Sequence, residues 1–161
     1  MKIAILGTRG VPARYGGFET CAEELGKRLV ARGHDVYVYC RYGYYRERLP
    51  EYEGIKLIYV RGIEKKVLDT PSHTLLSLFH ALKSTYDALI IFNAANGPLL
   101  LWPKILGKKM IVNVDGLEWE REKWNIGVKL YYRTAAWLTT ILAQALVADS
   151  RAIQSLSLIH I

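Results

Sequence analysis

The most unusual segment of the sequence is a glycine-rich stretch, GTRGVPARYGG, at residues 7–17. It lies between an apolar run and a helical pattern, and it is longer than the roughly two to six residues of most strand-to-helix loops. Gly16 and Gly17 stand directly before the helix, where free N–H groups and the positive end of the helix dipole attract phosphate. Arg9 and Arg14 add positive charge. The segment predicts a site for a phosphate-bearing ligand; a flexible turn with solvated arginines is the alternative.

Two common phosphate-binding motifs do not fit this loop. The third glycine of a dinucleotide-binding fingerprint is replaced by Ala13, and the next strand ends in Cys40 and Arg41 instead of an acidic residue that would bind a ribose hydroxyl. No GKS or GKT follows the glycines, so the loop is not a P-loop.

Other catalytic and metal-binding patterns are missing from the sequence. His73 and His80 are seven residues apart with no acidic ligand in a metal-binding spacing between them, and no GxSxG motif occurs. Cys21 and Cys40 form no CxxC pair, so neither zinc nor a disulfide framework is indicated. We therefore expect no metal and no cofactor, and a reducing, cytoplasmic compartment.

Charge and hydropathy limit the class of partner. The 161 residues are 51% hydrophobic and 23% charged, which is enough for a domain with a core, and the net charge is +7. A basic chain favours an anionic partner: phosphate, nucleic acid or an acidic membrane surface. The apolar run at residues 3–6 is too short for a signal peptide, and the uncharged stretch at 134–148 is too short to span a bilayer. The expectation is a soluble protein that at most touches a membrane surface.

Strand and helix patterns alternate along the chain. Strands are predicted at residues 2–6, 35–40, 55–60, 88–92, 110–114 and 146–148. Helices are predicted from Phe18 to about Gly33, at 71–86, in a short segment opened by residues 96–98, at about 127–143, and from 149 onward. In the first helix, Thr20 and Glu23 have the spacing of a capping box, and Gly33 marks the end. This alternation predicts a Rossmann-like, doubly wound α/β fold with a mainly parallel sheet.

In such a sheet, ligands bind beyond the carboxyl ends of the strands, where the strand order reverses. An order of 3-2-1-4-5 for the predicted strands would put that crevice between the first and the fourth. The loops at residues 7–17, 93–97 and 115–124 would then line it.

The residues of the first loop also carry a resemblance to a known family. GTRGVPARYGGFET, at residues 7–20, resembles the opening of bacterial family-4 glycosyltransferases of the rhamnosyltransferase type, which are retaining enzymes of the GT-B fold. RGHDV at 32–36, NAAN at 93–96, VDGLEW at 114–119 and VADS at 147–150 fit the same group. The resemblance implies that residues 1–155 are an N-terminal, acceptor-binding domain and that the C-terminal donor domain is missing.

The resemblance also implies roles for individual residues. Gly16, Gly17 and Arg14 would lie against the donor diphosphate and the transferred sugar, and Asp115 would be the catalytic carboxylate near the anomeric centre. The acceptor would be bound by a set of polar residues on several loops: Tyr15, Glu19, Arg41, Asn93, Asn96 and Glu118.

Structural roles remain open for several of these residues. Glu19 is equally suited to pairing with the helix dipole, Asp115 to capping the Gly116 turn, and Asn93 and Asn96 to forming turns. The arginines and tyrosines at residues 41–48 suit an anionic or carbohydrate acceptor, single-stranded nucleic acid, or a solvated loop.

The last residues, LSLIHI at 156–161, resemble the in-frame translation of a sequencing adapter. We therefore expect the natural sequence to be interrupted near Ser155; a genuine short C-terminal helix is the alternative.

The leading hypothesis is the acceptor half of a retaining, metal-independent glycosyltransferase. Its partners would be a nucleotide-sugar and a saccharide or lipid-linked saccharide at the inner face of the cell membrane, with contact to anionic lipid and no nucleic acid. Two alternatives are an NADP-dependent oxidoreductase or epimerase, with Arg41 on the 2′-phosphate, and a basic nucleic-acid-binding module.

Overall fold

The computed structural model of the protein describes residues 1–14, 16–63, 69–114, 116, 118–120, 122 and 124–148. The chain divides into two compact units, with the boundary between Ile90 and Ile91. Each unit is described by itself below.

The first unit is built on a sheet with helices between its strands. Its elements are β1 (Lys2–Leu6), α1 (Gly17–Ala31), β2 (Asp35–Arg41), β3 (Glu51–Tyr52), β4 (Ile55–Val60), α2 (Asp69–Leu82) and the start of β5 (Ala88–Phe92). The strand order is β3-β4-β2-β1-β5. β2 is parallel to both β1 and β4, whereas the short β3 is antiparallel to β4.

The core of this unit follows from the apolar strand sequences. Ala4, Ile5 and Leu6 of β1 and Val38 of β2 have no solvent exposure. Strands buried in this way read as continuous apolar runs, which is typical of the middle of a parallel sheet. Because this burial requires apolar side chains, the apolar run in the sequence predicts a strand, and the predicted bounds match those of the observed strand β1.

The second unit begins within β5 and continues through two short 3-10 helices and two α-helices. Its elements are a 3-10 helix (Ala94–Leu100), α3 (Leu101–Ile105), β6 (Lys109–Val114), a 3-10 helix (Glu118–Glu120), α4 (Ile126–Leu142) and β7 (Ala145–Ala148). β6 and β7 are parallel. The Gln144 side chain accepts a hydrogen bond from the Met110 N–H (2.7 Å) and donates one to the Lys108 carbonyl (3.2 Å). These bonds fix the start of β7 against the start of β6.

The predicted Rossmann-like α/β fold with a mainly parallel sheet is confirmed. The expected position of the first predicted strand between the second and the fourth is also observed, because β1 lies between β2 and β5. None of the helices in the described part of the chain combines the length and apolar character needed to cross a bilayer.

Some local predictions were wrong. The capping box does not form: the N-cap of α1 is Gly16, no side chain caps the helix, and the Thr20 hydroxyl donates to the Gly16 carbonyl instead (3.2 Å). β3 was missed because it has only two residues, held by a turn in which Glu53 and Gly54 have positive φ angles. α2 begins two residues before the prediction and ends at Leu82.

In the second unit, the 3-10 helix of residues 94–100 packs closely on α4. A Cβ atom at Gly97 would lie 1.9 Å from the carbonyl oxygen of Ala135. The Thr139 hydroxyl donates to the Ala94 carbonyl (3.1 Å), and the Tyr131 hydroxyl donates to the Ala95 carbonyl (2.9 Å). Only a residue without a side chain permits this contact between the two backbones.

We expect Gly97→Ala to destabilise the protein by about 1–3 kcal/mol or more, because the methyl group must displace the backbone of α4. Chemical denaturation monitored by circular dichroism measures the loss. Gly127→Ala is the matched control, since a Cβ there comes no nearer than 3.7 Å to the side chain of Asn125. Equal stability of the two variants would contradict the close packing.

Candidate functional site

The glycine-rich loop lies at the carboxyl end of β1, and its described residues are 7–14, 16 and 17. Gly7, Gly10 and Gly16 have φ angles of 89°, 116° and 91°, which L side chains rarely adopt. A Cβ at Gly10 would lie 2.5 Å from the Cys40 Sγ and 2.8 Å from its Cα. This glycine is therefore needed for packing on the end of β2, so not every glycine of the loop serves a ligand.

Two carboxylates of α1 hold the loop through its backbone. The Arg9 N–H donates to Glu19 Oε1 (3.0 Å), and the Ala13 N–H donates to Glu23 Oε2 (2.6 Å). Glu19 is buried, with 6% of its surface exposed. Burial opposes ionisation of Glu23, but the hydrogen bonds from Ala13 and Lys27 outweigh it and lower its pKa. Internal carboxylates thus occupy N–H groups that an external anion would otherwise bind.

The double glycine remains open on one side. Gly16 and Gly17 are exposed, and the N-cap residue Gly16 has no side chain with which to cap α1. A Cβ at Gly16 would lie 2.7 Å from Glu19 Oε2, whereas a Cβ at Gly17 meets no described atom within 4 Å. The first turn of α1 therefore offers an accessible positive dipole end at Gly17, with a carboxylate oxygen beside it.

Tyrosine rings hold the arginines of the loop. Arg14 is exposed, and its guanidinium lies 5.4 Å from the ring centroid of Tyr45. Tyr45 is buried, and its hydroxyl donates to the Pro12 carbonyl (3.1 Å). The Arg9 guanidinium lies 5.5 Å from the ring centroid of Tyr44. These contacts place two positive charges beside the loop.

Arg41 connects β2 to the first turn of α2. Its guanidinium pairs with the Asp69 carboxylate and donates to the Thr70 hydroxyl (2.9 Å), while its backbone N–H donates to the Arg9 carbonyl (2.9 Å). Burial lowers the pKa of Arg41, and Asp69 opposes that effect. Arg41 was predicted to bind an acceptor or, in the alternative hypothesis, the 2′-phosphate of NADP. Its guanidinium is instead already bonded to other residues of the chain.

His73 of α2 is fully buried. Burial, aided by the charge of Arg41, lowers the pKa of His73 to about 4, so the ring is neutral near pH 7. Burial likewise raises the pKa of the Cys40 thiol to about 12, which makes it a packing residue and not a nucleophile. Neither residue is suited to acid–base or nucleophilic chemistry at neutral pH.

The two asparagines of the second unit have local roles in the structure. Asn93, with φ of 76°, accepts a hydrogen bond on Oδ1 from the Ala95 N–H (2.8 Å). Asn96 is buried, and its Nδ2 donates to the Phe92 carbonyl (2.9 Å). Both side chains shape the turn after β5, and their predicted role in acceptor binding stays a prediction.

Three predicted site residues fall outside what the structure describes. These are Tyr15 and the predicted catalytic residue Asp115, together with the side chain of Glu118. Among the described residues, no group of three or more His, Cys, Asp or Glu side chains is arranged to hold a metal ion.

Comparison with protein families gives one match. The family described as Domain of unknown function (DUF1972) matches residues 1–158, which is nearly the whole chain. The chain belongs to the DUF1972 family. The comparison with curated proteins gave no match. The glycine-rich loop, its two supporting carboxylates and the open end of α1 therefore lie within the DUF1972 domain.

In this DUF1972 chain, we expect Glu19→Ala to loosen the loop, because the Arg9 N–H loses its acceptor. An unsatisfied donor that is fully buried costs about 1–3 kcal/mol of unfolding free energy, and Arg9 is half-buried, so we expect a loss of no more than about 1 kcal/mol. Amide hydrogen exchange at Arg9 should become faster while exchange in β1 is retained. Glu24→Ala is the control, since Glu24 is exposed and its ion pair with Lys27 is long, at 3.5 Å. Unchanged exchange at Arg9 in the Glu19 variant would contradict this role.

Proposed function

We propose that this DUF1972 chain is the N-terminal, acceptor-binding half of a retaining GT-B glycosyltransferase, which transfers a sugar from a nucleotide-sugar to a saccharide or lipid-linked saccharide. The proposal is supported by the Rossmann-like fold and by the association of the DUF1972 domain with glycosyltransferase N-terminal regions. The observation that carries it is the exposed double-glycine start of α1 beyond the carboxyl end of β1, where the N-cap residue is itself a glycine.

The chemistry follows from the charge that develops during transfer. As the bond between the sugar and the diphosphate breaks, negative charge accumulates on the leaving diphosphate. The N–H groups and dipole at Gly17 stabilise that charge, and Arg14 on the Tyr45 ring adds a cation. In this proposal a second, donor-binding domain holds the rest of the nucleotide-sugar, and no metal is needed.

Carboxylates would orient the sugars. Glu19 uses Oε1 for the Arg9 N–H, while Oε2 lies beside Gly16, where it is placed to accept a hydrogen bond from a sugar hydroxyl. Asp115 is proposed, on the sequence resemblance alone, to orient the acceptor hydroxyl or to stabilise positive charge on the transferred sugar.

Gly17→Val in the full-length protein of the parent gene tests the proposal. No described atom lies within 4 Å of a Cβ there, so the valine should fold without a clash and instead obstruct the donor diphosphate. A misplaced reacting group costs on the order of 100-fold in rate, and we expect a loss of about that size in release of nucleoside diphosphate. The assay covers dTDP-, UDP- and GDP-sugars with candidate acceptors.

Gly127→Val is the matched control, because it places the same side chain in the first turn of α4. Normal turnover by the Gly17 variant would show that the double glycine does not face the donor. Absence of sugar transfer by the wild-type protein with every donor would refute the glycosyltransferase proposal itself.

We also propose that the second unit contacts an anionic membrane through the surface of α3 and the turn after it. Leu101, Trp102, Ile105 and Leu106 are each 49–69% exposed there. Lys104, Lys108 and Lys109 lie beside them in the sequence, and residues 88–114 contain no Asp or Glu. Apolar and aromatic side chains flanked by lysines suit the headgroup region of an anionic bilayer.

Sedimentation with vesicles measures this contact. We expect binding to vesicles that contain phosphatidylglycerol and little binding to pure phosphatidylcholine. Each lysine near an anionic surface contributes about 1 kcal/mol, so replacing Lys104, Lys108 and Lys109 with Gln should weaken binding about 100-fold. Ile105→Ser should also weaken it. Equal binding to both lipids, or self-association of the chain without binding, would contradict the membrane assignment.

A further inference from the structure

Two arginines lie against one tyrosine ring in the first unit. The guanidinium carbon of Arg48 is 3.6 Å from the ring centroid of Tyr42, and that of Arg61 is 4.4 Å from the same centroid. We call these three residues the arginine clamp. Two like charges are held close together, and such an arrangement is most stable when an anion neutralises it.

Sheet register brings the clamp together. β2 and β4 are parallel neighbours in which Arg41 pairs with Val60, and the Tyr42 N–H donates to the Val60 carbonyl (3.0 Å). Tyr42 and Arg61 are therefore the residues that follow the paired ends of two adjacent strands. Arg48 comes from the loop after β2. The clamp thus lies at the carboxyl edge of the parallel strands, where ligands bind in folds of this type.

The charges of the clamp are not neutralised within the described part of the chain. Neither Arg48 nor Arg61 forms an ion pair with a described carboxylate, and both are exposed. By contrast, Arg41 on the same edge is paired with Asp69. A hydrogen bond from Arg61 and the charge of Arg48 lower the pKa of the Tyr42 hydroxyl, as expected for a phenol beside two cations.

We propose that the arginine clamp binds the diphosphate group of the acceptor. This inference rests on the proposed glycosyltransferase function and specifies that the acceptor is a saccharide carried on a diphosphate. Guanidinium groups form paired, charge-assisted hydrogen bonds with phosphoryl oxygens, and two of them match the charge of a diphosphate. The Tyr42 ring holds both guanidiniums in place, so fewer rotamers are lost on binding.

The same geometry argues against single-stranded nucleic acid as the ligand. Binding of that kind depends on bases stacking on open aromatic faces. The guanidinium of Arg48, at 3.6 Å from the Tyr42 centroid, occupies a face that a base would need. Tyr45 is buried, and its ring already lies beside Arg14 and Tyr44.

Isothermal titration of the chain with geranyl diphosphate tests the clamp without requiring sugar transfer. Loss of one charge-assisted contact should weaken binding about tenfold, so we expect this effect in Arg48→Gln and in Arg61→Gln, and a greater loss in the double variant. Arg32→Gln, which removes the same charge from an exposed site at the C-terminal end of α1, should leave the affinity within about twofold. Circular dichroism verifies that each variant folds.

Three results would overturn the clamp: no binding of geranyl diphosphate by the wild-type chain, an equal loss in Arg32→Gln, or tighter clamp-dependent binding of UDP, dTDP or an oligonucleotide. The titration tests the clamp and the transfer assay tests the proposed function, so one can give a negative result without the other. Clamp-dependent binding by a protein that transfers no sugar would refute the proposed function alone. Transfer to an acceptor without a diphosphate, at a rate unaffected by Arg48→Gln, would refute the clamp alone.

Discussion

The hydrogen bond from the Arg9 N–H to the buried carboxylate of Glu19 fixes the geometry of the candidate site. It joins the loop after β1 to the first turn of α1, and the bond from Ala13 to Glu23 repeats the connection one helical turn later. A loop with three glycines at positive φ would lose much conformational entropy on ordering. Internal carboxylates offset that cost, so the loop is held before any ligand arrives, while Gly16 and Gly17 stay exposed.

Arginines of the first unit are held in two different ways. Arg41 is bonded to Asp69 and contributes to structure by joining β2 to α2. Arg14, Arg48 and Arg61 lie instead against tyrosine rings. An aromatic face attracts a guanidinium without neutralising it, whereas a carboxylate cancels its charge. Stacking on tyrosine therefore orders these arginines while preserving the positive charge that an anionic substrate would require.

The fold was largely predictable from the sequence, because an apolar run such as that of β1 must be buried and is therefore placed inside the sheet. The contacts of the site were harder to predict. Thr20 and Glu23 have the spacing of a capping box, but Glu23 bonds across the loop to Ala13, a tertiary contact that spacing does not encode. Arg61 was missed as well, since its proximity to Tyr42 depends on the register of β2 with β4. The role proposed for Asp115 still depends on resemblance alone, because that residue lies outside the described part of the chain.

The glycines of the loop have different structural roles, so each must be considered separately before the motif is assigned to ligand binding. Gly10 is required by β2, since any Cβ there would meet the backbone of Cys40. Gly16 is required by its φ of 91° and by the adjacent Glu19. Gly17 has neither a positive φ nor a described neighbour that excludes a side chain, so folding does not explain its lack of one. Gly127 shares both properties, so an open glycine alone does not identify a ligand. What distinguishes Gly17 is its place at the exposed start of α1 beyond the carboxyl end of β1, which is why the proposed diphosphate site is assigned there.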